Sequence, residues 1–216
     1  MEHVTRHMIY SRFWHHFLYD IGEVPVDEPY AKRTAQGLIL GPDGDKMSKS
    51  KGNVVDPNDV VDEYGADVLR IYILFMGDYG SATPWNDSSV KGCKRFIDRV
   101  VGLADMAKGT GATPKLESAF HKTIKKVSQD IEEMKFNTAI AAMMSLMNDI
   151  YEVGTLTVDE LKTFITLLNP FAPHVTEEIW SELGENSFLS VEKWPEYDEA
   201  KTVDSTVTIA VQVCNC

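Results

Sequence analysis

The sequence predicts a mainly α protein whose longer part is an antiparallel helix bundle, and three observations carry that expectation. From about residue 86 onward, apolar residues recur at three- and four-residue steps in one segment after another. Breaks bearing Gly and Pro, at residues 109–114 and 170–173, separate these segments by the short connections that helix bundles use. Strand-like signals are confined to the run Gly37-Leu38-Ile39-Leu40 and to the alternating residues 207–213.

Taken in order, residues 3–19 place His7, Tyr10, Phe13, Trp14, Phe17 and Leu18 at helical spacing, which predicts a buried helix. Residues 20–29, with Gly22, Pro25 and Pro29, read as a loop. The apolar run 37–40 is followed by Gly41-Pro42-Asp43-Gly44, which has strong turn chemistry. A further helix is bounded by Asp56 as N-cap, Pro57 at the first helical position and Gly65 at the exit. Residues 66–76 continue as a helix with Val68, Leu69, Tyr72, Ile73 and Phe75 apolar. Residues 77–86, with Gly80 and Pro84, read as a linker or domain boundary.

Beyond that stretch, Val90, Cys93, Phe96, Ile97, Val100, Val101 and Ala104 share one face of a helix starting near Ser88. Leu116, Phe120, Ile124, Val127, Ile131 and Met134 mark the next, and residues 136–153 a third, with Met143, Met144 and Met147 as core filler. Residues 161–168 and 175–183 complete the set. Residues 207–213 have the alternation of a strand beginning a further unit.

Composition sets outer limits. The 216 residues are 44% hydrophobic and 25% charged, enough for one or two globular domains with a real core. No apolar run approaches the roughly 18 residues of a membrane span, and Met1 leads into a polar stretch unlike a signal peptide. The three cysteines, one isolated and two at Cys214 and Cys216, make neither a disulfide framework nor a zinc site, so a reducing, cytoplasmic setting is expected. A formal net charge of −12 opposes broad attraction to nucleic acid, so any RNA contact must use a local basic face.

The most informative segment is Lys46-Met47-Ser48-Lys49-Ser50, continuing Lys51-Gly52-Asn53-Val54-Val55-Asp56-Pro57. Lysine serves phosphate as a compact point charge with rotatable donors, and Ser48 and Ser50 add hydroxyls. Such a loop is suited to stabilising charge as pyrophosphate leaves an attacked α-phosphate. A solvated charged turn is the alternative for any single Lys-Ser-Lys triplet. His3 and His7, four apart in Glu-His-x-x-x-His, fit a metal pair or core and capping roles. Lys91, Lys94, Arg95 and Arg99 cluster on one predicted helix and Lys122, Lys125 and Lys126 on another. Each cluster reads as a solvated face or a phosphate-contacting one. Cys93 lies on an apolar face with no base to activate it.

The full lysine string resembles the signature loop of the class I aminoacyl-tRNA synthetases. Within that class, Glu2, His3, His7, Tyr10, Arg12 and Phe13 are similar to a Glu-His-x-x-x-His-x-x-Tyr-x-Arg-Phe segment of leucyl-tRNA synthetases. Tyr10-Ser11-Arg12-Phe13-Trp14, Leu168-Asn169-Pro170-Phe171-Ala172-Pro173-His174, Glu177-Glu178-Ile179-Trp180 and the run 207–213 extend the likeness over nearly the whole chain. The resemblance implies three parts: the end of a nucleotide-binding α/β catalytic domain (residues 1–85), a helical anticodon-binding domain (86–200), and the start of a C-terminal domain (201–216).

It also implies activation of leucine with ATP and transfer to tRNA(Leu). Lys46 and Lys49 are then the catalytic groups. Met47, Ser48 and Ser50 join them around the nucleotide, and Glu2 and His3 bound the ribose and leucine pocket. Lys91, Lys94, Arg95 and Arg99 contact tRNA phosphates, Mg2+ accompanies ATP, no protein-bound metal is expected, and the molecule is a monomer. The family's His-Ile-Gly-His-type motif and its inserted editing domain are absent, and Cys214-Asn215-Cys216 replaces the usual Asn-Gly-Lys. The chain therefore reads as a C-terminal portion of a synthetase, not expected to aminoacylate alone. A tRNA-binding helical module without catalysis and an isoleucyl- or valyl-type portion are the alternatives.

Overall fold

The computed structural model describes residues 2–203, apart from the side chains of Glu2 and His3. The chain is mostly helical: α1 (Glu2–Asp20), α2 (Pro57–Tyr64), α3 (Ala66–Phe75), α4 (Asp87–Met106), α5 (Glu117–Glu132), α6 (Phe136–Val153), α7 (Val158–Leu168) and α8 (Pro173–Glu182). Two short strands, β1 (Ile39–Leu40) and β2 (Thr83–Pro84), pair in parallel, with Ile39 opposite Thr83 and Leu40 opposite Pro84. The parallel pairing is made possible by the α2–α3 crossover between the strands. The strand expected at residues 207–213 lies outside the described residues, as do Cys214 and Cys216.

Local chemistry accounts for several boundaries. Asp56 accepts a hydrogen bond from the Asn58 N–H at 2.9 Å, Pro57 opens α2, and Gly65 ends it at φ 94°, donating to the Val61 carbonyl. Asn86 caps α4 through the Ser89 N–H. Thr157 and Glu160 form a reciprocal capping box at the start of α7. Between α5 and α6, Met134 turns the chain at φ 60°, a left-handed conformation uncommon outside glycine. That turn ends α5 at Glu132, before Met134.

A single hydrophobic core runs from Val60 of α2 to Leu189. α3 contributes Val68, Leu69, Ile71 and Tyr72, and packs against α4, α6 and α8. Tyr72 meets Trp85 edge to face with ring centroids 4.7 Å apart, and its hydroxyl accepts from the Asn86 N–H at 2.8 Å. Residues 77–86, read from the sequence as a linker or domain boundary, carry β2, the buried Trp85 and the α4 cap. On α4 the buried stripe is Val90, Cys93, Phe96, Ile97, Val100 and Leu103; Val101, expected on it, is 50% exposed because its angular position falls beyond the stripe's edge. Met143 and Met147 of α6 are fully enclosed, as core filler should be, while Met144 is partly buried.

Residues after α8 fold back across α5. Trp194 Nε1 donates to Ser128 Oγ at 2.8 Å, and the Asp198 N–H donates to His121 Nδ1 at 3.0 Å. Lys125 pairs with Glu199 at 2.6 Å and Lys201 with Glu117 at 2.7 Å.

α1 corrects one expectation. It forms over the expected residues, but none of its described residues is buried: Tyr10, Phe13 and Trp14 are 75%, 76% and 60% exposed. The following loop folds back against one side of the helix, where Arg12 pairs with Glu28 and His15 Nε2 meets the Val26 carbonyl at 2.8 Å. Helical periodicity identifies an apolar face but carries no information about what covers it.

Candidate functional site

The lysine loop grows out of the small sheet. β1 has β2 on one side, and on the other Leu40 bridges Lys46 in antiparallel fashion, so the loop's first lysine leaves directly from the sheet. The Gly41 N–H donates to the Asp45 carbonyl at 2.8 Å and the Gly44 N–H to the Gly41 carbonyl at 2.9 Å, closing the turn that the glycines and Pro42 predict. A Cβ on Gly41 would lie 2.6 Å from Asp43 Oδ1 and 2.8 Å from Asn53 Nδ2, so glycine is needed there.

Met47 points inward. It packs on the edge of the core and lines an apolar cavity of about 130 Å³ with Ile39, Val55, Pro57, Leu69, Ile73 and Trp85. Lys46 and Lys49, flanking it, are exposed, as is Ser50, while Ser48 is half-buried. Ser48 and Ser50 hydroxyls meet at 2.8 Å, and the Lys51 N–H donates to the Ser48 carbonyl at 3.0 Å. The loop therefore has an apolar root and a cationic, hydroxyl-bearing outer edge.

Asn53 and the two aspartates of the preceding turn hold this arrangement. Asn53 Oδ1 accepts from the Ser48 N–H at 2.8 Å, and its Nδ2 donates to both oxygens of Asp43 at 3.0 Å. Lys51 pairs with Asp45 at 2.7 Å, which raises the lysine's pKa through the hydrogen bond and the neighbouring charge. The Asn53 amide, helped by the Asp45 N–H, holds the Asp43 carboxyl below its ordinary value. Sequence reasoning placed Asn53 in the loop motif without a role; only its position opposite Asp43 and Ser48 reveals one.

The remaining candidates lie elsewhere. The Glu2 and His3 side chains fall outside the described residues, at the start of α1. On α4, Lys94 pairs with Asp98, and Arg99 donates to Asn148 Oδ1 at 2.9 Å while stacking over the Tyr151 ring at 4.4 Å. Lys91 and Arg95, one turn apart, are exposed and engage no carboxylate among the described residues. On α5, Lys125 pairs with Glu199 and Lys126 with Asp130 at 2.6 Å. Cys93 is buried, which pushes its thiol up to about 11, and no activating partner stands beside it among the described residues. Among the described residues no three of His, Cys, Asp and Glu stand together as a metal site.

The likeness to known proteins coincides with these parts. Residues 10–86 match the family model "tRNA synthetases class I (I, L, M and V)", and residues 115–215 match "Anticodon-binding domain of tRNA ligase". The chain is 54% identical over 214 residues to a leucine–tRNA ligase of Alkaliphilus oremlandii, covering 99% of this chain and 27% of that protein. The chain belongs to the leucyl-tRNA synthetase family.

A second family member, the leucine–tRNA ligase of Bdellovibrio bacteriovorus, is 46% identical over 218 residues, covering 98% of this chain and 27% of that protein. The chain thus spans about a quarter of the length of these curated relatives. Among solved structures it resembles a leucyl-tRNA synthetase of Agrobacterium radiobacter K84, crystallised as a ternary complex with tRNA and LeuAMS. The TM-score there is 0.79 at 36% identity, over 94% of this chain and 29% of that one. The lysine loop falls inside the first family match; the exposed α4 pair lies between the two.

Proposed function

We propose that this chain is the portion of a leucine–tRNA ligase that bears the pyrophosphate-stabilising loop and the helices that support tRNA(Leu). The observation that carries this reading is the lysine loop itself. Met47 is rooted in the core, so the exposed Lys46 leaves from a fixed base and the exposed Lys49 lies two residues beyond Met47 on the loop's outer edge.

In the reaction, the carboxylate of leucine attacks the α-phosphate of ATP, and pyrophosphate leaves as leucyl adenylate forms. Negative charge grows on the departing oxygens, and ammonium groups held in position oppose it more in the transition state than in the ground state. Lys46 and Lys49 supply that charge, with Ser48 and Ser50 as added donors; ATP arrives with Mg2+ as substrate. Glu2 and His3 border the ribose and leucine. A tRNA 3′ hydroxyl then takes the leucyl group from the adenylate, releasing AMP.

Residues 1–85 form the catalytic-domain part, 86–200 the anticodon-binding domain and 201–216 the start of a further unit. α4 to α8 form an antiparallel bundle; the tight turn at Met134 between α5 and α6 supports that arrangement. Lys91 and Arg95 are the phosphate contacts of the α4 face, because Lys94 and Arg99 are engaged within the chain. No described helix is long and apolar enough to cross a membrane. A monomer in the cytoplasm fits this reading. Alone the chain is not expected to activate leucine, since its sequence lacks the His-Ile-Gly-His-type motif.

The test is a chimaera in which this chain replaces the matching residues of the Alkaliphilus oremlandii ligase. Leucine-dependent ATP–pyrophosphate exchange should persist, and Lys49→Ala should lower kcat by about 10²–10³, the effect of removing one donor to developing negative charge. A chimaera that folds and exchanges pyrophosphate equally well with Lys46→Ala and Lys49→Ala overturns the assignment.

A further inference from the structure

We propose that Asn53 is the positioning residue of the lysine loop, and that its amide, oriented by Asp43, fixes the backbone on both sides of Met47. The inference deepens the reading of the loop as the ligase's pyrophosphate-stabilising element and rests on it for its catalytic meaning.

The geometry calls for a side chain that donates and accepts at once. Asn53 Nδ2 faces Asp43 at 3.0 Å to each carboxylate oxygen and reaches the Lys46 carbonyl at 3.4 Å. Its Oδ1 takes the Ser48 N–H at 2.8 Å. A carboxylate on one side and a backbone N–H on the other permit only one orientation of the amide. Aspartate lacks the donors, serine is too short to span the gap, and glutamine adds a methylene between the anchor points.

Lys46 and Ser48, the residues bonded to Asn53, flank Met47, whose side chain roots the loop in the cavity with Ile39 and Trp85. The stem is therefore held by a polar clasp on one side and an apolar anchor on the other. Gly41 lies against both clasp partners, with no space for a Cβ. Past Ser48 the clasp no longer reaches: Lys49, Ser50 and Lys51 are exposed, on a turn held by local bonds and by the surface Lys51–Asp45 ion pair. The clasp thus separates a base carrying Lys46, held from two sides, from an exposed tip carrying Lys49, which only the turn bonds and one surface ion pair hold.

The test is a reciprocal exchange in the purified chain, read by amide hydrogen exchange at Ser48. Asn53→Asp sets two carboxylates against each other at hydrogen-bond distance with no donor between them. Ser48 exchange, relative to its intrinsic rate, should rise by about tenfold, the factor for losing one charge-assisted hydrogen bond. In the double variant Asp43→Asn with Asn53→Asp, the donor and acceptor trade places and protection should return to within about threefold of the starting chain.

A pH series supplies the readout that mere packing would not move. Ser48 protection should fall as Asp43 is protonated and stay flat in Asp43→Asn; Asp45 and Lys51 are the other charged groups facing this carboxylate. Thermal unfolding of each variant, followed by circular dichroism, should match the starting chain, since the clasp lies at the surface. Equal Ser48 protection in all three variants, or loss without recovery in the double variant, overturns the proposal. The measurement needs neither ATP nor tRNA. A clasp that behaves as stated in a chimaera indifferent to Lys49→Ala therefore sinks the catalytic reading and leaves the positioning of the stem standing.

Discussion

Asp67, buried on α3, accepts a hydrogen bond from the backbone N–H of Val175 at 2.7 Å, and so caps α8 from another part of the chain. α8 has no cap of its own: Ala172 occupies the N-cap position without a side chain that can accept. The second carboxylate oxygen meets His174 Nδ1 at 2.7 Å. One turn along α3, Arg70 donates from Nε to the Phe171 carbonyl at 3.1 Å and from Nη2 to the Pro170 carbonyl at 2.9 Å. Two residues of one helix thereby secure the turn Leu168-Asn169-Pro170-Phe171 and the helix after it.

Asp67→Ala leaves the partly buried Val175 N–H uncapped. We expect a loss of about 1.5–3 kcal/mol, the usual cost of removing a charged hydrogen-bond partner. Asp67→Asn keeps one acceptor and should lose less. Urea unfolding with an unchanged m-value reads both, and equal, negligible losses would show that α8 needs no cap from α3.

Glu177 should give the chain an acid-sensitive contact. Burial pushes its carboxyl upward, but the N–H groups of Leu189 and Ser190, at 2.8 and 2.9 Å, outweigh burial and hold it below its ordinary value. A lowered folded-state pKa means stability present above the unfolded value of about 4.3 and lost as pH falls through the folded one. Glu177→Gln should therefore flatten the fall in unfolding free energy below about pH 5. An identical acid profile for the variant contradicts this.

The exposed face of α1 predicts behaviour of the isolated chain. Phe13, Trp14 and Phe17 form an apolar patch on a helix none of whose described residues is buried, and such patches bind apolar dyes and promote association. Phe13→Glu with Trp14→Glu should abolish 8-anilinonaphthalene-1-sulfonate binding and change the unfolding free energy by no more than about 0.5 kcal/mol. A loss of several kcal/mol would mean that the face is covered within this chain.

On the proposed tRNA face, Lys91→Ala with Arg95→Ala should weaken tRNA binding and lower the slope of log K against log salt by about 2, one for each cation taken away from a phosphate. Lys125→Ala, whose ammonium already holds Glu199 at 2.6 Å, should leave the slope nearly unchanged. Filter binding across a salt series distinguishes the pairs, and identical slopes for both would remove α4 from the interface.

Much of the helical architecture was legible because its signals are local. Asp56, Pro57 and Gly65 bound α2 as their chemistry dictates, and residues 136–153 form one helix to the residue. The lysine loop was legible as a motif. Where the reading fell short, the missing information was a partner distant in sequence. The basic residues of α4 and α5 look alike as a string, yet Arg99 lies on Tyr151 and Lys125 on Glu199, leaving Lys91 and Arg95 to face solvent.

By itself the sequence determined which segments are helical, the ends of α2 and α6, and which short loop carries closely spaced cations; it placed the starts of α7 and α8 two or three residues late. Capping, turn chemistry and apolar periodicity act within a few residues, so each is written in the neighbourhood it governs. Tertiary structure alone decided that α1 shows its aromatic face to solvent, that Asp67 caps a helix 108 residues away, and that Asn53 stands between Asp43 and Ser48. Burial and hydrogen bonding depend on what lies across a gap, and only the folded chain brings both sides of that gap together.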